Sequence, residues 1–226
     1  MGDCMPVPAT IRCALLLGTT FAFASAMDAQ DLGSDASIRQ ALDKARPALM
    51  HHLRNQLDGR GGSPGQLALL CLAALHDGVL PSDEVLSRAL DRLANANCSE
   101  TYETALRLMV MEYWDQFPDR KKAAERDCKV LLRHRHDGAF SYFDNPAEWD
   151  LSNTQYGALG LRAAASMEVP IERKAWQQLA DSVGDFQESY GGFGYRPGQG
   201  KAKGSYPSMT VAGIAVLAMC RQALST

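Results

Sequence analysis

The sequence predicts an all-α protein made of helix pairs, apolar inner helices alternating with amphipathic outer ones. Three observations carry this expectation: four long apolar segments, intervening polar segments with apolar residues at helical spacing, and no period-two alternation beyond a few residues. The apolar segments run 63–75, 101–111, 152–164 and 208–220, and their starts lie 38, 51 and 56 residues apart. Each opens on a small hydroxyl residue, Ser63, Thr101, Ser152 or Ser208. Such a residue is suited to accept from the free N–H groups of a first helical turn. Being apolar nearly all round, these helices belong inside.

In chain order, the first element reads as an export leader. Arg12 precedes the apolar run Cys13–Phe23, and Ala24-Ser25-Ala26 offers a small-residue cleavage site. The run is too short to span a bilayer, and no later stretch holds about 18 unbroken apolar residues. The expectation is a signal peptide over 1–26, a linker over 27–35, and one repeat domain over 36–226, exported to the periplasm or medium. Such a chain is soluble or touches a membrane only peripherally.

The outer helices come next. The first covers Ala36–Leu53, kinked or restarted at Pro47, and three others open at Leu80-Pro81, Phe117-Pro118 and Val169-Pro170. Proline at the first helical position loses no hydrogen bond, because that N–H is unpaired anyway. These helices are expected over Pro81–Leu93, Pro118–Leu132 and Pro170–Phe186, the last with Trp176, Leu179, Val183 and Phe186 in one stripe. Two such layers suit an open solenoid or a closed toroid.

Two turns share a pattern. His134-Arg-His-Asp137-Gly138-Ala-Phe140 aligns with Gln187-Glu-Ser-Tyr-Gly191-Gly-Phe193, 53 residues on. The pattern resembles the Q-x-x-D-G-x-W repeat of the squalene–hopene cyclase and protein prenyltransferase group. The wider chain, with Ser152-Asn-Thr-Gln155 and Gly191-Gly-Phe-Gly-Tyr-Arg-Pro197, is similar to bacterial prenyltransferase/squalene-oxidase-repeat proteins, many of them exported. The resemblance implies an α/α toroid. Four helix pairs where the group has six imply a toroid-like arc, an incomplete (α/α)6 barrel with apolar faces at its ends. Phenylalanine replaces tryptophan in both turns, and His134 replaces the glutamine.

The chemistry of that group is not carried over. The chain has no Asp-x-Asp-Asp acid, no Asp-x-Cys zinc pair and no Asp-Asp-x-x-Asp diphosphate motif. No cofactor is expected. With 23 Lys+Arg against 26 Asp+Glu and a net charge of −3, there is no cationic surplus for nucleic acid. No metal site is assigned, because His51-His52 diverge on a helix and His134-x-His136-Asp137 reads either as a weak zinc site or as helix C-terminal histidines. Cys71, Cys98, Cys128 and Cys220 match no zinc spacing; Cys98 with Cys128 is the one pairing considered, against buried thiols.

The remaining candidates are two loops that each precede an inner helix and so share one rim. The first holds Tyr142, Asp144, Glu148, Trp149 and Asp150, leading to Asn153 and Gln155; the second holds Tyr195, Arg196, Lys201, Lys203 and Tyr206. Carboxylates beside aromatic platforms suit saccharides or cationic intermediates, which makes Asp144, Glu148 and Asp150 the weak catalytic candidates. The bland alternative is that Asp150 and Asn153 cap a helix while Glu148 and the lysines are solvated. Three functions follow: a non-catalytic protein binding an apolar small molecule or a partner over its open ends, a terpenoid-cyclase-like enzyme with a displaced acid, and a polysaccharide-acting enzyme.

Overall fold

A computed structural model describes residues 35–59, 62–197 and 204–225. The leader, nearly all of the linker, and Lys201 and Lys203 lie outside the described residues. The chain is mostly helical, with 66% of the described residues in helix. Eight helices occur among the described residues: α1 Asp35–Leu57, α2 Pro64–His76, α3 Glu84–Ala94, α4 Thr101–Tyr113, α5 Arg120–Arg133, α6 Leu151–Ser166, α7 Arg173–Gly184 and α8 Pro207–Ser225.

The even-numbered helices form a row, α2 packed on α4, α4 on α6 and α6 on α8. The odd-numbered helices back it: α1 on α2 and α3, α3 on α2, α5 on both α4 and α6, and α7 on α8. Each odd helix buries one stripe. In α3 it is Leu86, Ala89, Leu90 and Leu93; in α7 it is Ala175, Trp176, Leu179 and Val183. Phe186, just beyond α7, completes the expected stripe and is 1% exposed. Burying each such leucine stabilises the fold by about 1.5–3 kcal/mol before entropy is counted.

The helix starts differ from those expected. Ser63 caps α2, accepting from the Gln66 N–H at 3.3 Å, with Pro64 at the first helical position. Thr101, Ser152 and Ser208 lie inside their helices instead, and the α6 cap is Asp150, whose Oδ1 accepts from the Asn153 N–H at 2.7 Å. A carboxylate there satisfies the same free N–H groups and also complements the helix dipole. Pro81, Pro118 and Pro170 precede their helices by two or three residues and sit in the entering turns. Asp83 caps α3, accepting from Val85 and Leu86 N–H at 2.9 and 3.1 Å. Pro47 lies within an uninterrupted α1.

Both glycine turns form. Arg135–His136 (β1) pairs with Ala139–Phe140 (β2) in a minimal antiparallel hairpin, a small departure from an all-α chain. Its tip has φ of 49° at Asp137 and 98° at Gly138, the left-handed pair that a two-residue hairpin turn requires. In the second turn Gln187 bridges Phe193, Gly191 has φ of 95°, and the Gln187 amide donates to the Gly191 carbonyl at 3.0 Å.

The aromatic of each turn docks identically on the following even helix. The Phe140 N–H donates to Thr154 Oγ1 at 3.0 Å, and the Phe193 N–H to Thr210 Oγ1 at 3.1 Å. Each ring lies on a glycine three residues further along, where an added Cβ would stand 2.5 Å from it: Gly157 under Phe140 and Gly213 under Phe193. The recurring unit is therefore a turn Phe–Thr–Gly lock between layers.

Candidate functional site

The two rim loops do meet. The Leu151 N–H donates to the Tyr195 carbonyl at 3.0 Å, so the second loop lies against the start of α6. Burial, then the Asp150 carboxylate and the Tyr142 hydroxyl, push the Tyr195 hydroxyl to higher pKa. Tyr142 also stacks on Tyr102, ring centroids 5.6 Å apart at 30°, and Tyr102 meets Tyr156 at 4.3 Å. The Tyr102 hydroxyl hydrogen-bonds Ser152 at the start of α6, and burial raises its pKa to about 12. Four tyrosines thus gather over the N-terminal ends of α4 and α6.

The carboxylates separate into two kinds. Asp150 is 1% exposed and taken up by its cap, its Oδ2 accepting from Asn153 Nδ2 at 2.9 Å. Asn153 is buried with it, so neither lines a free surface. Asp144 and Glu148 are exposed; Asp144 stands 3.3 Å from His136 Nε2. Trp149 turns inward rather than outward, edge-on to Phe186 at 5.5 Å and 76°. Gln155 is half-buried on α6, while Arg196 and Tyr206 are exposed.

His134 also belongs to the framework. It is 5% exposed at the end of α5, with Nδ1 3.0 Å from Thr101 Oγ1. Thr101 donates its one hydroxyl hydrogen to the Ser141 carbonyl at 2.6 Å, so it accepts from His134, and the neutral ring carries its proton on Nδ1. Burial, with the Arg133 charge next, lowers the His134 pKa. The weak zinc reading of His134-x-His136 is replaced by this network, and no metal-ligating cluster occurs among the described residues. Cys71, Cys98, Cys128 and Cys220 are buried free thiols, so Cys98 and Cys128 do not pair.

Below the rim, the even helices carry apolar and polar residues that the odd ones leave incompletely covered. On α6 the half-buried residues Ser152, Gln155, Tyr156, Leu159 and Arg162 recur at helical spacing and form one stripe. Met109 of α4 and Val211, Ala215 and Ala218 of α8 are likewise incompletely covered, Val211 at 64% exposure. The charge of Arg162 among them is cancelled, since it grips Glu112 with two hydrogen bonds of 2.9 and 2.6 Å. Two surface grooves, of about 750 and 480 Å³, lie instead on the outer layer, between α3 and α5 and between α5 and α7.

Sequence reasoning missed Tyr102, Ser152 and Tyr156. Tyr102 and Ser152 are each the second residue of their helices, so correct helix starts would have placed them side by side. No family model matches the chain, and comparison with curated proteins and with solved structures returns no match.

Proposed function

We propose that this is an exported, non-catalytic α/α repeat protein that holds an elongated apolar molecule along its row of even helices, beneath the tyrosine rim. The row is one arc of an incomplete (α/α)6 toroid, the fold implied by the glycine-turn resemblance to the squalene cyclase and prenyltransferase group. One observation carries the reading: Met109, Tyr156, Leu159 and Ala215 of the even helices are apolar and incompletely covered, and the polar groups beside them on α6 are Ser152, Gln155 and the neutralised Arg162–Glu112 pair. Apolar surface presented next to a few oriented hydroxyls is the usual make-up of a small-molecule site. The engagement of Asp150 as a helix cap supports binding over acid catalysis.

Mass spectrometry of organic extracts of the purified protein tests this directly, together with titration of its tyrosine and tryptophan fluorescence by farnesol. An apolar molecule retained by the wild type and lost in Leu159→Glu supports the proposal. Absence of any such molecule, with fluorescence unchanged by farnesol, overturns it. Turnover of a polyprenoid that disappears in Asp150→Asn would replace it with the enzymatic alternative.

A further inference from the structure

The even helices share a register that assigns a task to each position. Counting from the first residue of each helix, the eighth is Cys71, Leu108, Ala158 and Ile214, and the eleventh is Ala74, Met111, Leu161 and Leu217. The sixth is Leu69, Leu106, Tyr156 and Ala212, and the tenth is Ala73, Val110, Gly160 and Val216. In α4, Leu108 and Met111 join the hydrophobic cluster of α6 and α8, whereas Leu106 and Val110 join that of α1, α2 and α3. An added Cβ at Gly160 would stand 3.0 Å from Ala105 Cα of α4. The eighth and eleventh positions therefore face the next even helix, and the sixth and tenth face the previous one.

This division explains where burial fails. At the eighth position Cys71, Leu108 and Ala158 are all 0% exposed, but Ile214 is 58% exposed. At the sixth, Leu106 is 6% and Ala212 0% exposed, but Leu69 is 51% exposed. At the tenth, Val110 and Val216 are buried while Ala73 is exposed. The forward face of α8 and the backward face of α2 are thus the two halves of a junction that the chain makes three times within itself. A shallow groove beside Leu69 and Leu70, closed by His52 and Asn55 of α1, adds relief to the α2 half.

We infer that a second copy of this chain docks head to tail, the forward face of α8 (Ile214 and Leu217) packing on the backward face of α2 (Leu69 and Ala73) in the copy that follows. The occupant is specified by complementarity: each face lacks the partner that the other supplies, in the geometry already used between α2 and α4, α4 and α6, and α6 and α8. A heterologous contact of this kind leaves one free face at each end, so assembly continues into a short series or closes into a ring.

The test combines multi-angle light scattering with native mass spectrometry of the full chain and of two surface variants, Ile214→Glu and Leu69→Glu. Both residues are exposed, and retained helical circular dichroism confirms that each variant is folded. The wild type is expected to exceed one chain in mass with rising concentration, and each variant alone to remain a single chain. Mixed in equal amounts, the variants should form a dimer containing one of each, because each retains the half that the other has lost. Three results overturn the inference: a single-chain wild type at every concentration up to its solubility limit, undiminished association of Leu69→Glu, or a mixture that stays monomeric.

Discussion

Arg107 and Asp127 form a two-pronged ion pair inside the protein, Nε to Oδ2 at 2.7 Å and Nη2 to Oδ1 at 2.8 Å, with both side chains at most 3% exposed. Arg107 also donates to the Ala96 carbonyl at 2.5 Å, in the segment between α3 and α4. In the register of the even helices, Arg107 stands where Gly157 and Gly213 receive the rings of Phe140 and Phe193. The second repeat has no glycine turn and no ring to offer, and the guanidinium fills that place while satisfying the carbonyls left free.

Breaking this pair should be costly in a particular way. Asp127→Ala leaves the buried Arg107 charge unpaired and should destabilise by about 3–5 kcal/mol in urea unfolding, whereas Arg107→Ala should cost less, because Arg126 Nε still donates to Asp127 Oδ1 at 3.1 Å. The double variant Arg107→Leu/Asp127→Leu should recover much of that loss, since no charge is stranded. Equal losses for Asp127→Ala and the double variant would show that the carbonyl contacts, rather than the pair, dominate.

The turn locks give a graded series. Gly157→Ala and Gly213→Ala each place a methyl group against a phenylalanine ring and should cost about 1–3 kcal/mol. Gly138→Ala should cost more, because φ is 98° there and the methyl would meet the Gln178 carbonyl 2.0 Å away. Gly184→Ala, with nothing within 4 Å, should be neutral or slightly stabilising. Urea midpoints of the four variants check the order.

His134 should make the fold sensitive to acid. Its folded pKa lies below the ordinary value of about 6.5, so the unfolded chain takes up the proton first as pH falls. The associated stability is fully present above about pH 6.5 and lost as pH drops through the folded value. His134→Gln, which restores the amide found in the second turn, should flatten this acid slope. Denaturant unfolding of both forms across the range is the measurement.

The thiols should be silent in the native state. Burial pushes Cys71 and Cys98 up to about 12 and Cys128 up to about 11, so little reactive thiolate exists near neutral pH. Iodoacetamide followed by peptide mapping should label none of the three until denaturant is added. Rapid native labelling of Cys98 would indicate local opening of the segment before α4.

Helical period and layer assignment were legible in the sequence because they depend on side chains close along the chain. Leu86, Leu90 and Leu93 announce the buried stripe of α3, and Asp137-Gly138 announces its turn, without reference to anything distant. Helix starts were less legible. Ser152 and Asp150 are both competent caps two residues apart: the apolar pattern pointed to Ser152, the bland reading of the loop to Asp150, and the local hydrogen bonds of Asp150 to Asn153 make Asp150 the cap. Trp149 was legible only as an aromatic of the rim loop, since its edge-on contact with Phe186, 37 residues later, exists only after folding. The tyrosine rim was half visible, Tyr142 and Tyr195 from their loops, while Tyr102 and Tyr156 were concealed in helices read as wholly buried.

The division of α4 between two hydrophobic clusters has a consequence for folding. Leu106 and Val110 serve the N-terminal cluster, Ala105, Leu108 and Met111 the C-terminal one, and Met109, Trp114 and Tyr156 touch both. Cooperativity between the halves of the molecule then passes chiefly through α4, with Tyr156 of α6 and Ala94 of α3 as the other apolar links. Amide hydrogen exchange should find α4 among the last segments to open, and a cavity made in it, such as Leu108→Ala, should split one unfolding transition into two.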